Sequence, residues 1–198
     1  MNLARVTIVL LVAATGGCRS VPAHYYSLTS RPQALSGHSG APQATVKVMS
    51  IPASADRLQL VVHQGNEISI LENHQWIAPL SNEIETALSI ELLRRLHDDS
   101  GDSVARSDGD WSIRVNVLQL EAYPGDRVFI AATWIAQLGA PPSAKAIACR
   151  LEISEPIRPG VDATVDGYRA LISKVADQIA MSISANTGGP GVVACLAT

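Results

Sequence analysis

Two stretches of this chain repeat their apolar residues with the period of a helix. Over residues 83–96, Ile84, Leu88, Leu92 and Leu96 form one stripe, widened by Ala87 and Leu93. Ser81 or Asn82 can cap it, and Asn82 with Glu85 fits a capping box. Arg94, Arg95 and His97 put positive charge in the last turn, where it suits the helix dipole. Gly101, among the acids at 98–102, is the stop. Over residues 165–184, Tyr168, Leu171, Ile172, Val175, Ile179 and Ile183 make a second stripe, ended by residues 186–190.

Elsewhere the pattern alternates with the period of a strand. Val46, Val48 and Ile51 mark a first core strand, which Pro52 ends because it cannot donate to a ladder. Residues 58–62 and 68–71 flank Gln64-Gly65-Asn66, a hairpin signal. Trp76, Pro79 and Leu80 close that segment, and Trp76 reads as a core plug under the helix start. Over residues 111–122, Trp111, Ile113, Val115 and Val117 alternate with polar residues. The phase then flips to Leu118 and Leu120, which predicts a β-bulge near Val117-Leu118. A turn at 123–126 leads to a partner strand over 127–138. A third strand over 146–153 has Ile147, Cys149, Leu151 and Ile153 on one face. The pattern predicts an α+β, two-layer domain: a mainly antiparallel sheet with two amphipathic helices packed on it.

The first residues follow a different logic. Arg5 lies in a short n-region, residues 6–14 are almost wholly apolar, and Gly16-Gly17 precede Cys18. That layout is a secretory signal, too short to cross a bilayer as a helix, which takes roughly 20 residues. A cysteine at the cleavage point resembles a bacterial lipoprotein signal, with Cys18 acylated; the alternative is ordinary signal cleavage beside a chance cysteine. Arg19, rather than Asp, follows Cys18, and by that resemblance points to the outer membrane, facing the periplasm. The expected organisation is a signal over 1–17, a lipid-anchored tether and loop over 18–44 with one short ordered, β-prone patch at 25–28, one domain over 45–186 and a tail over 187–198.

Composition narrows the function. The net charge is −3, and Arg94-Arg95 is the largest basic cluster, so the footprint of a nucleic-acid binder is absent. Of three cysteines, Cys18 is taken by the anchor reading. Cys149 and Cys195 are then an even pair in an oxidising compartment, either disulfide-bonded or two unpaired thiols. Gly37-His38-Ser39-Gly40 misses the spacing of a nucleophile elbow. The five histidines form no HExxH or close pair, and no glycine-rich phosphate loop occurs. The expectation is a non-enzyme with no cofactor and no metal.

Three blocks then resemble the PqiC/YmbA-type ABC-transport auxiliary lipoproteins. They are Tyr25-Tyr26-Ser27-Leu28, the run from Val46 through Pro52 to Asp56-Arg57 and Val61, and Trp76-Ile77-Ala78-Pro79-Leu80. Ala55 stands where a larger apolar residue is usual, and Gln75 where Arg is common. The Cys149/Cys195 pair lies outside the pattern. The resemblance implies an outer-membrane lipoprotein of an MCE-type lipid-transport system. It would work with a periplasmic MCE-domain protein and, through it, an inner-membrane transporter, in a docking role that supports envelope integrity. Asp56 and Arg57 are the candidate partner contacts; the alternative is a solvated turn with a weak ion pair. A homo-oligomer is left open. Two other functions remain: a periplasmic hydrolase with a dispersed site, and a small lipid-binding module with an apolar cavity of a few hundred Å³.

Overall fold

The computed structural model describes residues 21–29, 44–98, 110–139, 145–185 and 193–194. Cys18, Cys195, the Gly37–Gly40 near-motif and the 30–43 loop lie outside the described residues. The elements run β1 (His24–Tyr26), β2 (Ala44–Ser50), β3 (Gln59–Gln64), β4 (Glu67–Trp76), α1 (Leu80–Asp98), β5 (Trp111–Tyr123), β6 (Arg127–Leu138), β7 (Lys145–Pro156), α2 (Val161–Ala185) and β8 (Val193–Ala194).

The α+β architecture is as the periodicity predicts, with a division the periodicity does not carry. The strands form two sheets. One has the order β2-β5-β6-β7-β8, the other β1-β4-β3. The three hairpin pairs are antiparallel, β3 with β4, β5 with β6 and β6 with β7. Three further pairs are parallel: β1 with β4, β2 with β5 and β7 with β8. Parallel strands need a crossover, and β3, β4 and α1 together supply the one from β2 to β5. The bulge falls where the phase flips: the β5–β6 register shifts between Val117 and Gln119, leaving Leu118 exposed.

Both helices bury their stripes on the sheets. Ile84, Leu88, Leu92 and Leu96 of α1 meet Leu171, Ile172, Val175 and Ile179 of α2 in one core with Trp76, Trp111 and Trp134. Each fully buried aliphatic side chain contributes about 1.5–3 kcal/mol. At Gly167 a Cβ would come within 2.4 Å of Ile157 Cγ2 and 3.1 Å of Val128 Cγ2, so only glycine lets α2 sit this close to the sheet.

One expectation needs correction and another gains a partner. First, α1 begins at Leu80, and the Asn82 and Glu83 amides donate to the Pro79 carbonyl at 2.9 and 3.1 Å. Asn82 is therefore inside the first turn and makes no capping box with Glu85. Glu85 reaches β2 instead, accepting from the Val48 amide at 3.0 Å and from Lys47 at 3.3 Å. Second, the short β-prone patch within 18–44 has a place in a sheet. Tyr26 and its neighbours are a strand of the domain, with His24, Tyr25 and Tyr26 in register with His74, Gln75 and Trp76. Pairing with a partner some 50 positions away fixes this segment, and local pattern does not report such a partner.

Candidate functional site

The helix starts, the β1-β4-β3 sheet and the loop after β2 meet at one end of the domain. There the N-terminal segment is bolted down by buried polar groups. Glu83, in the first turn of α1, is only 5% exposed. Its carboxylate accepts from the Leu28 amide and the Ser27 hydroxyl, both at 2.8 Å. A buried carboxylate is costly unless paired, and these donors with the positive end of the helix dipole stabilise it. Arg169 of α2 closes the clamp, donating to the Ser27 carbonyl through Nε at 3.1 Å and Nη2 at 2.7 Å. The Ile77 amide donates to the Tyr26 carbonyl at 2.9 Å. His24 stacks on His74 with centroids 5.0 Å apart, and the Tyr26 hydroxyl lies 2.9 Å from His74 Nδ1. Burial, and then the Asp162 carboxylate, push the Tyr26 phenol above its usual pKa.

The motif turn sits beside this clamp. Pro52 follows the end of β2, and its carbonyl accepts from the Ala55 and Asp56 amides at 2.9 and 3.0 Å. That turn aims the Asp56 carboxylate at the start of α1, where it accepts from the Ser81 amide at 3.0 Å. Asp56 thus satisfies one of the orphan amides of a helix it does not belong to. No ion pair with Arg57 is present among the described residues. Arg57 is half-buried, and its Nε is buried without a hydrogen-bond partner. Trp76 and Leu80 are buried, with Trp76 edge-on to Tyr168 at 5.9 Å between centroids; Pro79 is exposed.

Between the β3–β4 hairpin and the bulge of β5 lies a cleft of about 310 Å³, lined by Pro52, Ala55, Trp76, Leu118, Leu120 and Tyr168 among others. The small Ala55 leaves room that a larger residue would fill. Burial, and then Glu121, hold the Tyr168 phenol far above its usual pKa. Ser54, His63 and Glu121 also reach the cleft. The His63 ring lies 4.9 Å from that of Tyr123, while Glu121 accepts from Tyr123 at 2.9 Å and Gln119 at 2.7 Å. Burial raises the Glu121 carboxyl, but the donors Gln119 and Tyr123 outweigh it and hold its pKa below the usual carboxylate range. No hydrogen bond joins Ser54, His63 and Glu121 among the described residues. No cluster of three metal-ligating side chains occurs among them either.

At the sheet's other edge, Cys149 is buried and disulfide-bonded. β8 runs beside it, with Val193 and Ala194 in register with Ile147 and Ala148.

Pro52, Trp76 and Leu80 line one cleft, and Asp56 lies beside it on the Ser81 amide. Sequence reasoning missed Glu83 and Arg169. Their signal was a charged residue at a helical position that the apolar stripe should occupy, Glu83 beside Ile84 and Arg169 beside Tyr168 and Ile172.

The fold and the clamped first strand define a two-layer α+β domain. A family model described as "ABC-type transport auxiliary lipoprotein component" matches residues 26–180, and the chain belongs to that family, the PqiC/YmbA type its motifs resemble. No helix among the described residues is long and apolar enough to cross a membrane. A solved structure of an uncharacterized protein is similar at 16% identity and TM-score 0.64, covering 82% of this chain and 99% of that one. The structure of protein XCC0632 from Xanthomonas campestris is similar at 14% identity and TM-score 0.54, covering 81% and 95%. Both likenesses are of fold. No curated protein matches the chain.

Proposed function

We infer that the protein is a lipid-anchored, non-enzymatic docking subunit of an MCE-type lipid-transport system, held at the outer membrane through Cys18 and facing the periplasm. Membership of a transport auxiliary lipoprotein family supports the class. The observation that carries the docking role is Arg57: its Nε is buried with no partner, beside an exposed Asp56. An unsatisfied buried donor costs about 1–3 kcal/mol, and turning the side chain outward to a partner's carbonyl or carboxylate at this turn would remove that cost. Binding residues favour loops held by a rigid scaffold, and the 52–57 turn is such a loop. The test is a crosslinked pull-down from membranes. The parent should recover a protein with an MCE domain, and Arg57→Ala should recover much less of it at equal abundance. Equal recovery by the two chains would remove Arg57 from the contact. Purified domain should show no turnover of esters, peptides or phospholipids; activity abolished by Ser54→Ala or His63→Ala would make it a hydrolase instead.

A second reading rests on the cleft. Its volume of about 310 Å³ and its floor of Trp76, Leu120 and Ala55 suit one aliphatic chain. Titration with a fluorescent fatty acid tests it: saturable binding lost in Ala55→Leu supports it, and no saturable binding removes it.

A further inference from the structure

The clamp on β1 decides how far the domain can stand from its anchor. The inference rests on acylation of Cys18. Six peptide steps separate Cys18 from His24, the first residue in register with β4. At no more than about 3.6 Å per residue, that leash spans roughly 20 Å. The 30–43 segment adds nothing to it, because it joins β1 to β2 after the chain has already been fixed. Without the clamp the leash would run from Cys18 to Ala44, the first residue of β2, and its contour would be roughly 90 Å.

The clamp also selects which end faces the lipid. Glu83 holds Leu28 at the first turn of α1, and Tyr26 meets Asp162 at the first turn of α2. Both helices therefore start where the leash attaches. Arg95 of α1 donates to the Ser173 carbonyl of α2 at 3.0 Å further along, so the two run away from that end side by side. With 25 residues, α2 is about 37 Å long, longer than the leash.

We propose that the end built from β1, the Asp56–Arg57 turn and the starts of α1 and α2 is a lipid-facing surface, held within about 20 Å of the bilayer by the Glu83–Arg169 clamp, with the C-terminal ends of both helices pointing away. Val21 and Tyr25 are 67% and 64% exposed on the lipid side of the clamp, and tyrosine is favoured at membrane interfaces. The partner contact at Arg57 then lies next to the lipid surface rather than out in the periplasm.

The test uses the full acylated chain in phospholipid vesicles carrying acceptor dyes on lipid headgroups. A donor is placed by a clickable amino acid at Leu58, near β1, or at Met181, near the end of α2; both are exposed. Transfer should be several-fold higher from Leu58 than from Met181. A variant with twenty Gly/Ser residues inserted between residues 20 and 21 should lose most of that difference, and Glu83→Ala with Arg169→Ala should lower transfer from Leu58 while staying on the vesicles. Equal transfer from the two sites of the parent, or higher transfer from Met181, would overturn the orientation while leaving the anchor intact. A parent chain that does not bind vesicles, or that binds equally as Cys18→Ser, would instead overturn the anchor and this inference with it.

Discussion

The Glu83 carboxylate accepts the Leu28 amide at 2.8 Å across 55 positions of sequence. One buried side chain thus joins the first described segment to the first helix. With Arg169 on the Ser27 carbonyl, it makes residues 24–29 part of the domain.

Glu83→Ala should destabilise the domain by about 1–3 kcal/mol, because it leaves a buried amide without an acceptor. Glu83→Gln keeps one acceptor oxygen and should lose less. Urea denaturation measures both. Limited proteolysis of Glu83→Ala should also cut faster within residues 21–29, since releasing β1 exposes that backbone.

Asp56→Ala should cost about 0.5–2 kcal/mol, the usual worth of a helix cap. A solvated turn would have shown no such loss, since an exposed ion pair contributes about 0–1 kcal/mol. Asp56→Asn retains an acceptor for the Ser81 amide and should recover most of the stability. Thermal melts of the two variants separate capping from charge.

Much of this fold is legible in the sequence because its cues are local. The phase flip at Val117-Leu118 gives the bulge, Gly65 at φ +63° gives the hairpin, and two apolar stripes give the helices. What is not legible depends on distant partners. β1 is three residues long and carries no period of its own. The parallel pairing of β2 with β5 crosses a hairpin and a helix. Asp56 looks like a turn residue until the helix start is placed beside it, and Pro79-Leu80 move that start ahead of the apparent Asn82 cap.

Acid should weaken the ion pairs that Glu91 makes with Arg94 and Arg95 within α1. Burial raises the Glu91 carboxyl, but hydrogen bonds and charge from Arg95 and Arg94 outweigh it and hold its pKa below the ordinary 4.5. A depressed folded pKa gives stability that is present above the unfolded value and lost as pH falls through the folded one. The stability gap between the parent and Glu91→Gln should therefore be full at pH 7 and narrow as pH falls below the ordinary 4.5. Urea melts across that range check it; a gap that widens on acidification would contradict it.

We propose that Cys195 is the partner of Cys149. β8 ends at Ala194, beside the strand that carries Cys149. Exported protein should then show neither thiol to a labelling reagent until it is reduced and unfolded. Cys149→Ser should cost about 2–5 kcal/mol, the usual loss for a native disulfide in a small domain. Two labelled thiols in unreduced protein would count against the pair.

Docking at the membrane-proximal turn is the central claim. A photo-crosslinking amino acid at Leu58, next to Arg57, tests it most directly in living cells. Illumination should give an adduct whose mass spectrum contains an MCE-domain protein, absent when the same residue is placed at Met181. An adduct from Met181 but none from Leu58 would contradict the account.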